Sequence, residues 1–212
     1  MLKAKPLKAI AVVLSATTLG GALFYYNFID KPTKISVNVG DECPNFTVFT
    51  YTNENGEYVA KGEEFILSEN KGKVVIINFW ATYCGPCKLE LPDFDRLQKE
   101  YPDDLVVITL NGEKDYNYKT LAPWISKYTT EIIPEDDPTQ KIEYKWTDFD
   151  LLFGRYETAD DIYRKLGFSS TALPATMVLD RNGLVQFEKE GSIHYDSLKE
   201  VVLPWINQTA NT

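Results

Sequence analysis

Histidine occurs once, at His194, and cysteine three times, at Cys43, Cys84 and Cys87. That scarcity closes several routes. A structural zinc site wants four ligands, usually supplied by two closely spaced pairs. Only one such pair exists, and the remaining donors, Cys43 and His194, stand far from it and from each other. No metal and no cofactor are expected. Internal repeats and low-complexity tracts are absent. Basic residues are in deficit: 22 Lys and Arg face 31 Asp and Glu, for a formal net charge of −9. So acidic a chain argues against nucleic acid or an anionic membrane surface as a partner.

What the sequence does have is a globular composition, with 44% hydrophobic and 13% aromatic residues over 212 positions. That length suits one domain and an extra segment. The extra segment is N-terminal. Ala9–Ile29 (AIAVVLSATTLGGALFYYNFI) carries no charge and follows Lys3, Lys5 and Lys8. As a helix it would match a bilayer's hydrocarbon core, about 30 Å thick. Residues 1–29 are therefore expected to be a signal-anchor helix with its N-terminus inside, ahead of a tether at 30–40. A cleaved signal peptide is the alternative; Gly20-Gly21-Ala22 is only a weak cleavage site. No cysteine follows the run, which argues against a lipoprotein. Either way, residues from Asp30 onward are expected outside the cytoplasm, where a disulfide can persist.

From Asp41 to 208 the pattern is that of one α/β domain. NFTVFTYTNENGEYV alternates about Asn53–Gly56, as a β-hairpin does. Val74–Ala81 and Asp104–Gly112 are apolar, β-branched runs that suit strands buried on both faces. Helix-like stretches follow each, which predicts a βαβ unit with a right-handed crossover. On the first helix, Leu89, Phe94 and Leu97 form an apolar stripe. ATMVLD and LVQFEKE flank a turn at DRNG and predict an antiparallel hairpin. Thr158 to Gly167 is expected to be a short capped helix, and YDSLKEVVLPWINQ the closing one. Residues 131–157, acidic and then aromatic, are expected to be an insertion, packed on the sheet or forming part of a substrate groove.

Cys84 and Cys87 stand in INFWATYCGPCKLELP, between the first buried run and a helix. An inert staple is poorly served by a two-residue spacer, because so small a loop constrains the unfolded chain little. A redox role fits better. At a helix N-terminus, unpaired N–H groups and the positive dipole end favour a Cys84 thiolate. Cys87, one turn on, can reach back and resolve a mixed disulfide on Cys84. Glu90 shares the face of Cys87. Cys43 is expected to be a small buried hydrophobe rather than a third redox partner, His194 a capping or surface residue, and Lys88 exposed.

KGKVVIINFWATYCGPCKLELP resembles the thioredoxin superfamily, and most closely its membrane-anchored, extracytoplasmic TlpA/ResA-like branch. GDECPNF near Gly40 and ALPATMVLDRNGLVQFEKEG downstream extend the resemblance over about Gly40–Asn207, except 131–157. It implies a thioredoxin-like fold: a central mixed β-sheet flanked by helices, with an N-terminal β-hairpin extension. It implies that Cys84 is the exposed attacking thiol and Cys87 the buried resolving one. Glu90 would help move protons, and Pro174 would be cis, leaving the Leu173 backbone free for an extended substrate. Tyr83, Gly85 and Pro86 would border that substrate. Two departures stand out. Asn78 replaces the buried aspartate of thioredoxin, so Glu90 takes over the proton relay, and Tyr83 replaces the usual tryptophan. The resemblance further implies a disulfide reductase acting on exported proteins, apocytochrome c among them, recharged by a membrane electron donor of the CcdA/DsbD type. The rivals are an oxidase using the same residues and a non-catalytic partner-binding module.

Overall fold

The computed structural model describes residues 37–59, 62–133, 138–155, 159–168 and 172–208. The anchor helix expected at 1–29, most of the tether and the N-cap expected at Thr158 lie outside them. Among the described residues no helix is long and apolar enough to cross a membrane.

The strand expected at Val74–Ala81 is β5 (Val74–Trp80), and all seven of its residues are buried. Such complete burial needs cover on both faces. Its alternation supplies two apolar sets. Val74, Ile76 and Trp80 belong to one hydrophobic cluster, with Phe94 and Leu97 of helix α1 (Gly85–Glu100) and Leu198 and Val202 of α4 (Tyr195–Ile206). Val75, Ile77 and Phe79 belong to a second, with Ile162 and Tyr163 of α3 (Ala159–Lys165). Helix α2 (Tyr118–Lys127) joins the first cluster through Leu121 and Ile125. Asn117 starts it with a reciprocal capping box with Thr120.

Around β5 the sheet has seven strands in the order β11-β10-β5-β6-β9-β1-β4. β6 (Leu105–Asn111) runs parallel to β5 with Ile77 beside Ile108, and β9 (Leu152–Arg155) runs parallel to β6. β10 (Ala175–Leu179) and β11 (Val185–Glu190) form the expected antiparallel hairpin, and β10 is also antiparallel to β5. β1 (Thr47–Thr50) and β4 (Glu64–Ile66) extend the far edge antiparallel. The sheet is therefore mixed, as the resemblance implies. The N-terminal hairpin is β2 (Thr52–Glu54) with β3 (Glu57–Val59), turning through Asn55 and Gly56 at φ values of 55° and 87°.

Residues 131–157 do not behave as one insertion. The first part completes an antiparallel hairpin of β7 (Thr129–Ile132) and β8 (Ile142–Lys145). The last part is β9, well inside the central sheet. The acidic, proline-bearing stretch ahead of it hides this continuation of the parallel order. Between them Trp146 is fully buried, its rings edge-on to Trp80 and stacked with Phe153. These aromatics pack on the sheet. The stripe on α1 also differs from expectation. Leu89 is 53% exposed, whereas Cys87, Glu90, Leu91, Phe94 and Leu97 face inward, following the three- and four-residue spacing of a helical face.

Candidate active site

β5 ends at Trp80, and four residues later Cys84 caps α1. Its backbone is extended, and its Sγ accepts the N–H of Cys87 at 3.2 Å. Pro86 occupies the first turn, where a missing N–H breaks no helical bond. Cys84 and Cys87 are joined as a disulfide, with Cα atoms 5.3 Å apart. Cys87 is wholly buried, and Cys84 keeps 7% exposure. Cys84 is thus the more exposed of the two, although in the disulfide form it too is largely covered. Reduction leaves Cys84 at the positive end of a sixteen-residue helix, which favours its thiolate.

One turn beyond Cys87, Glu90 is fully enclosed. Its Oε1 accepts from Asn78 Nδ2 at 2.9 Å and its Oε2 from the Ile193 N–H at 3.1 Å. Burial pushes the carboxyl up to about 8; these two hydrogen bonds and Lys189 hold it down, and Asp93 adds to the rise. A carboxyl with that value beside a dithiol can take up and release a proton near neutral pH. Asp93, also raised by burial, accepts the Tyr195 N–H at 3.2 Å and sits 3.7 Å from His194 Nδ1. His194 stands at the N-cap of α4 without a side-chain capping bond and is exposed.

The Leu173–Pro174 bond is cis. Ala175 pairs with Phe79, so this loop lies at the same end of the sheet from which the Cys84 turn emerges. Leu173 packs against both hydrophobic clusters. On the outer side Tyr83 is 75% exposed, and Gly85 and Pro86 are also exposed. The expected site residues Tyr83, Cys84, Gly85, Pro86, Cys87 and Glu90 thus share one turn and the start of one helix, with Leu173 and Pro174 at the same sheet end.

Sequence reasoning missed Glu113 and Thr82. The Glu113 carboxylate, itself anchored by Asn111 Nδ2 at 2.8 Å, accepts both the N–H and the hydroxyl of Thr82. Its placement just past β6 was the available signal, since functional groups collect beyond the carboxyl ends of parallel strands. Lys88 is half-buried rather than free. Its Nζ donates to the Thr82 carbonyl at 2.9 Å and lies 5.0 Å from the Tyr128 ring centre, burying its stem along apolar rings. Cys43 is free and 6% exposed, its thiol pushed up to about 12 chiefly by burial. It lines a cavity of about 340 Å³ with Val75 near the start of β5, away from the disulfide. No group of three or more His, Cys, Asp or Glu suited to a metal occurs among the described residues.

Residues 39–188 match the AhpC/TSA family. The ResA thiol–disulfide oxidoreductase of Bacillus cereus (strain ATCC 10987 / NRS 248) is 30% identical over 202 residues, covering 94% of this chain and 96% of its own. The thioredoxin-like protein YneN of Bacillus subtilis (strain 168) is 38% identical over 78 residues, 37% of this chain and 41% of its own. This chain thus aligns with less than half of YneN. A secreted thiol–disulfide isomerase from Corynebacterium glutamicum superposes with a TM-score of 0.59 at 19% identity, covering 85% of this chain and 97% of that one; that likeness concerns the fold. With its helix-capping dithiol, the chain is a thioredoxin-fold thiol–disulfide oxidoreductase. It belongs to the AhpC/TSA family, where its likeness is to the TlpA/ResA-like proteins.

Proposed function

We propose that the chain is an extracytoplasmic reductant of protein disulfides, held to the membrane by residues 1–29 through the tether at 30–40, with 41–208 as the catalytic domain. The Cys84 thiolate attacks a substrate disulfide, forming a mixed disulfide and releasing one substrate thiolate. Cys87 passes its proton to Glu90 and attacks Cys84 Sγ, releasing the second. Two electrons leave the dithiol, and a membrane donor of the CcdA/DsbD type restores them. Pro174 shapes the loop so that the Leu173 backbone pairs with an extended substrate segment, bordered by Tyr83, Gly85 and Pro86. Exported proteins, including apocytochrome c awaiting haem, are the proposed substrates.

The observation that carries this reading is the Cys84–Cys87 disulfide at the N-cap of α1 with buried Glu90 one turn on. The reduction potential of the couple tests the direction of flow. A value near about −250 mV or lower supports a reductase, and one near about −120 mV makes the protein an oxidase.

A further inference from the structure

Asn78 sits mid-strand in β5, fully buried. Its Nδ2 spends both hydrogens, donating to Glu90 Oε1 at 2.9 Å and to Thr176 Oγ1 at 3.2 Å. Its Oδ1 is enclosed and accepts no hydrogen bond from any described residue. A buried acceptor left unpaired is costly, and calls for an explanation. Turning the amide over would set Oδ1 against Glu90 Oε1, acceptor against acceptor whenever Glu90 is ionised. The observed orientation therefore serves a carboxylate, at the expense of the amide's own oxygen.

Thr176 receives the second hydrogen. It pairs with Asn78 across β10 and β5, two residues after the cis proline. The amide thus links the strand that follows the cis proline to the acid on α1. We propose that Asn78 is a positioning residue that keeps the enclosed Glu90 able to ionise, so that Glu90 can take the proton Cys87 loses when it attacks Cys84 Sγ. This rests on the exchange chemistry proposed above. The proton moves from the Cys87 thiol to the Glu90 carboxylate, the new bond is Cys84–Cys87, and the substrate leaves as a thiolate.

The groups around Glu90 leave this task to few donors. On its own helix stand Cys87 and Asp93, and neither helps a negative charge. From β11, Lys189 favours ionisation at a distance. The segment before α4 presents the Ile193 N–H, with His194 turned to Asp93. From β5 comes the Asn78 amide, backed by Thr176 of β10, and neither titrates. The hydrogen bonds from Ile193 and Asn78 oppose the burial that raises Glu90.

The test uses the oxidised full-length chain, in which Cys84 and Cys87 cannot titrate. The ¹³C resonance of the Glu90 carboxyl, identified by its loss in Glu90→Gln, is followed against pH. The wild-type midpoint is expected at about 8. In Asn78→Leu it rises by about one to two pH units, the worth of a hydrogen bond to a charged group. Reduced Asn78→Leu then exchanges with a peptide disulfide about tenfold or more slowly at pH 7 and recovers at alkaline pH. Should the leucine variant fail to fold, Asn78→Ala, which also lacks a donor, carries the same expectations. An unmoved midpoint, or a rate deficit equal at every pH, overturns the proposal. A wild-type midpoint in the ordinary carboxylate range overturns the proton role of Glu90 itself, and this inference with it.

Discussion

Glu113 accepts two hydrogen bonds from Thr82, at 2.5 Å from its N–H and 2.8 Å from its hydroxyl. Lys88 holds the same residue's carbonyl from the other side. Every polar group of Thr82 is thus tied down, two positions before Cys84. Glu113→Ala is expected to slow exchange about tenfold through a misplaced Cys84 and to cost about 1.5–3 kcal/mol in urea unfolding. Glu113→Gln keeps an oxygen for the Thr82 N–H and an amide for its hydroxyl, so its rate should stay within about twofold of wild type. Wild-type rates in Glu113→Ala would contradict the clamp.

Glu90 makes stability depend on pH. Its carboxyl rises from 4.5 to about 8 on folding, so between those values the folded state binds more protons than the unfolded state. The stabilisation from the neutral acid is fully present below pH 4.5 and is lost as pH rises through about 8. Glu90→Gln cannot ionise. Its stability relative to wild type should therefore rise across that window, by roughly 3–5 kcal/mol in total. Denaturant unfolding at pH 5 and pH 9 measures the change, and a constant difference would refute the assignment.

Much of this site was legible in the sequence, and the limits were physical. The strand–turn–helix context of Cys84 and Cys87 and the alternation of β5 are local patterns, so both could be read directly. Glu90 lies on the expected helix face, although its hydrogen bonding depends on the segment before α4, more than 100 residues away, supplying the Ile193 N–H. Leu89 was misassigned because one turn of helix offers too few positions to distinguish two adjacent faces. β9 stayed hidden because it is short and lies inside the stretch 131–157 expected to be an insertion. The Thr82–Glu113 bond spans 31 residues and joins two loops, where no periodicity exists to read.

The β7–β8 hairpin is tied to the redox helix by a chain of hydrogen bonds. Trp146 Nε1 donates to Thr130 Oγ1 at 2.8 Å, and Thr130 Oγ1 donates to the Lys88 carbonyl at 2.9 Å. Trp146→Ala removes a fully buried ring and should cost about 3–5 kcal/mol. Thr130→Val keeps the shape and loses only the bonds, for about 1–3 kcal/mol. Equal losses in urea unfolding would show that the bonds, not the aromatic packing, hold the hairpin.

Trapping the mixed disulfide tests the central claim most directly. Cys87→Ser and Cys84→Ser variants, each with Cys43→Ala, are reduced and mixed with a peptide disulfide, then resolved by mass. If Cys84 attacks and Cys87 resolves, Cys87→Ser accumulates a peptide adduct on Cys84, and Cys84→Ser forms none at a comparable rate. An adduct that forms as fast on Cys87, or no adduct on either, would contradict the account.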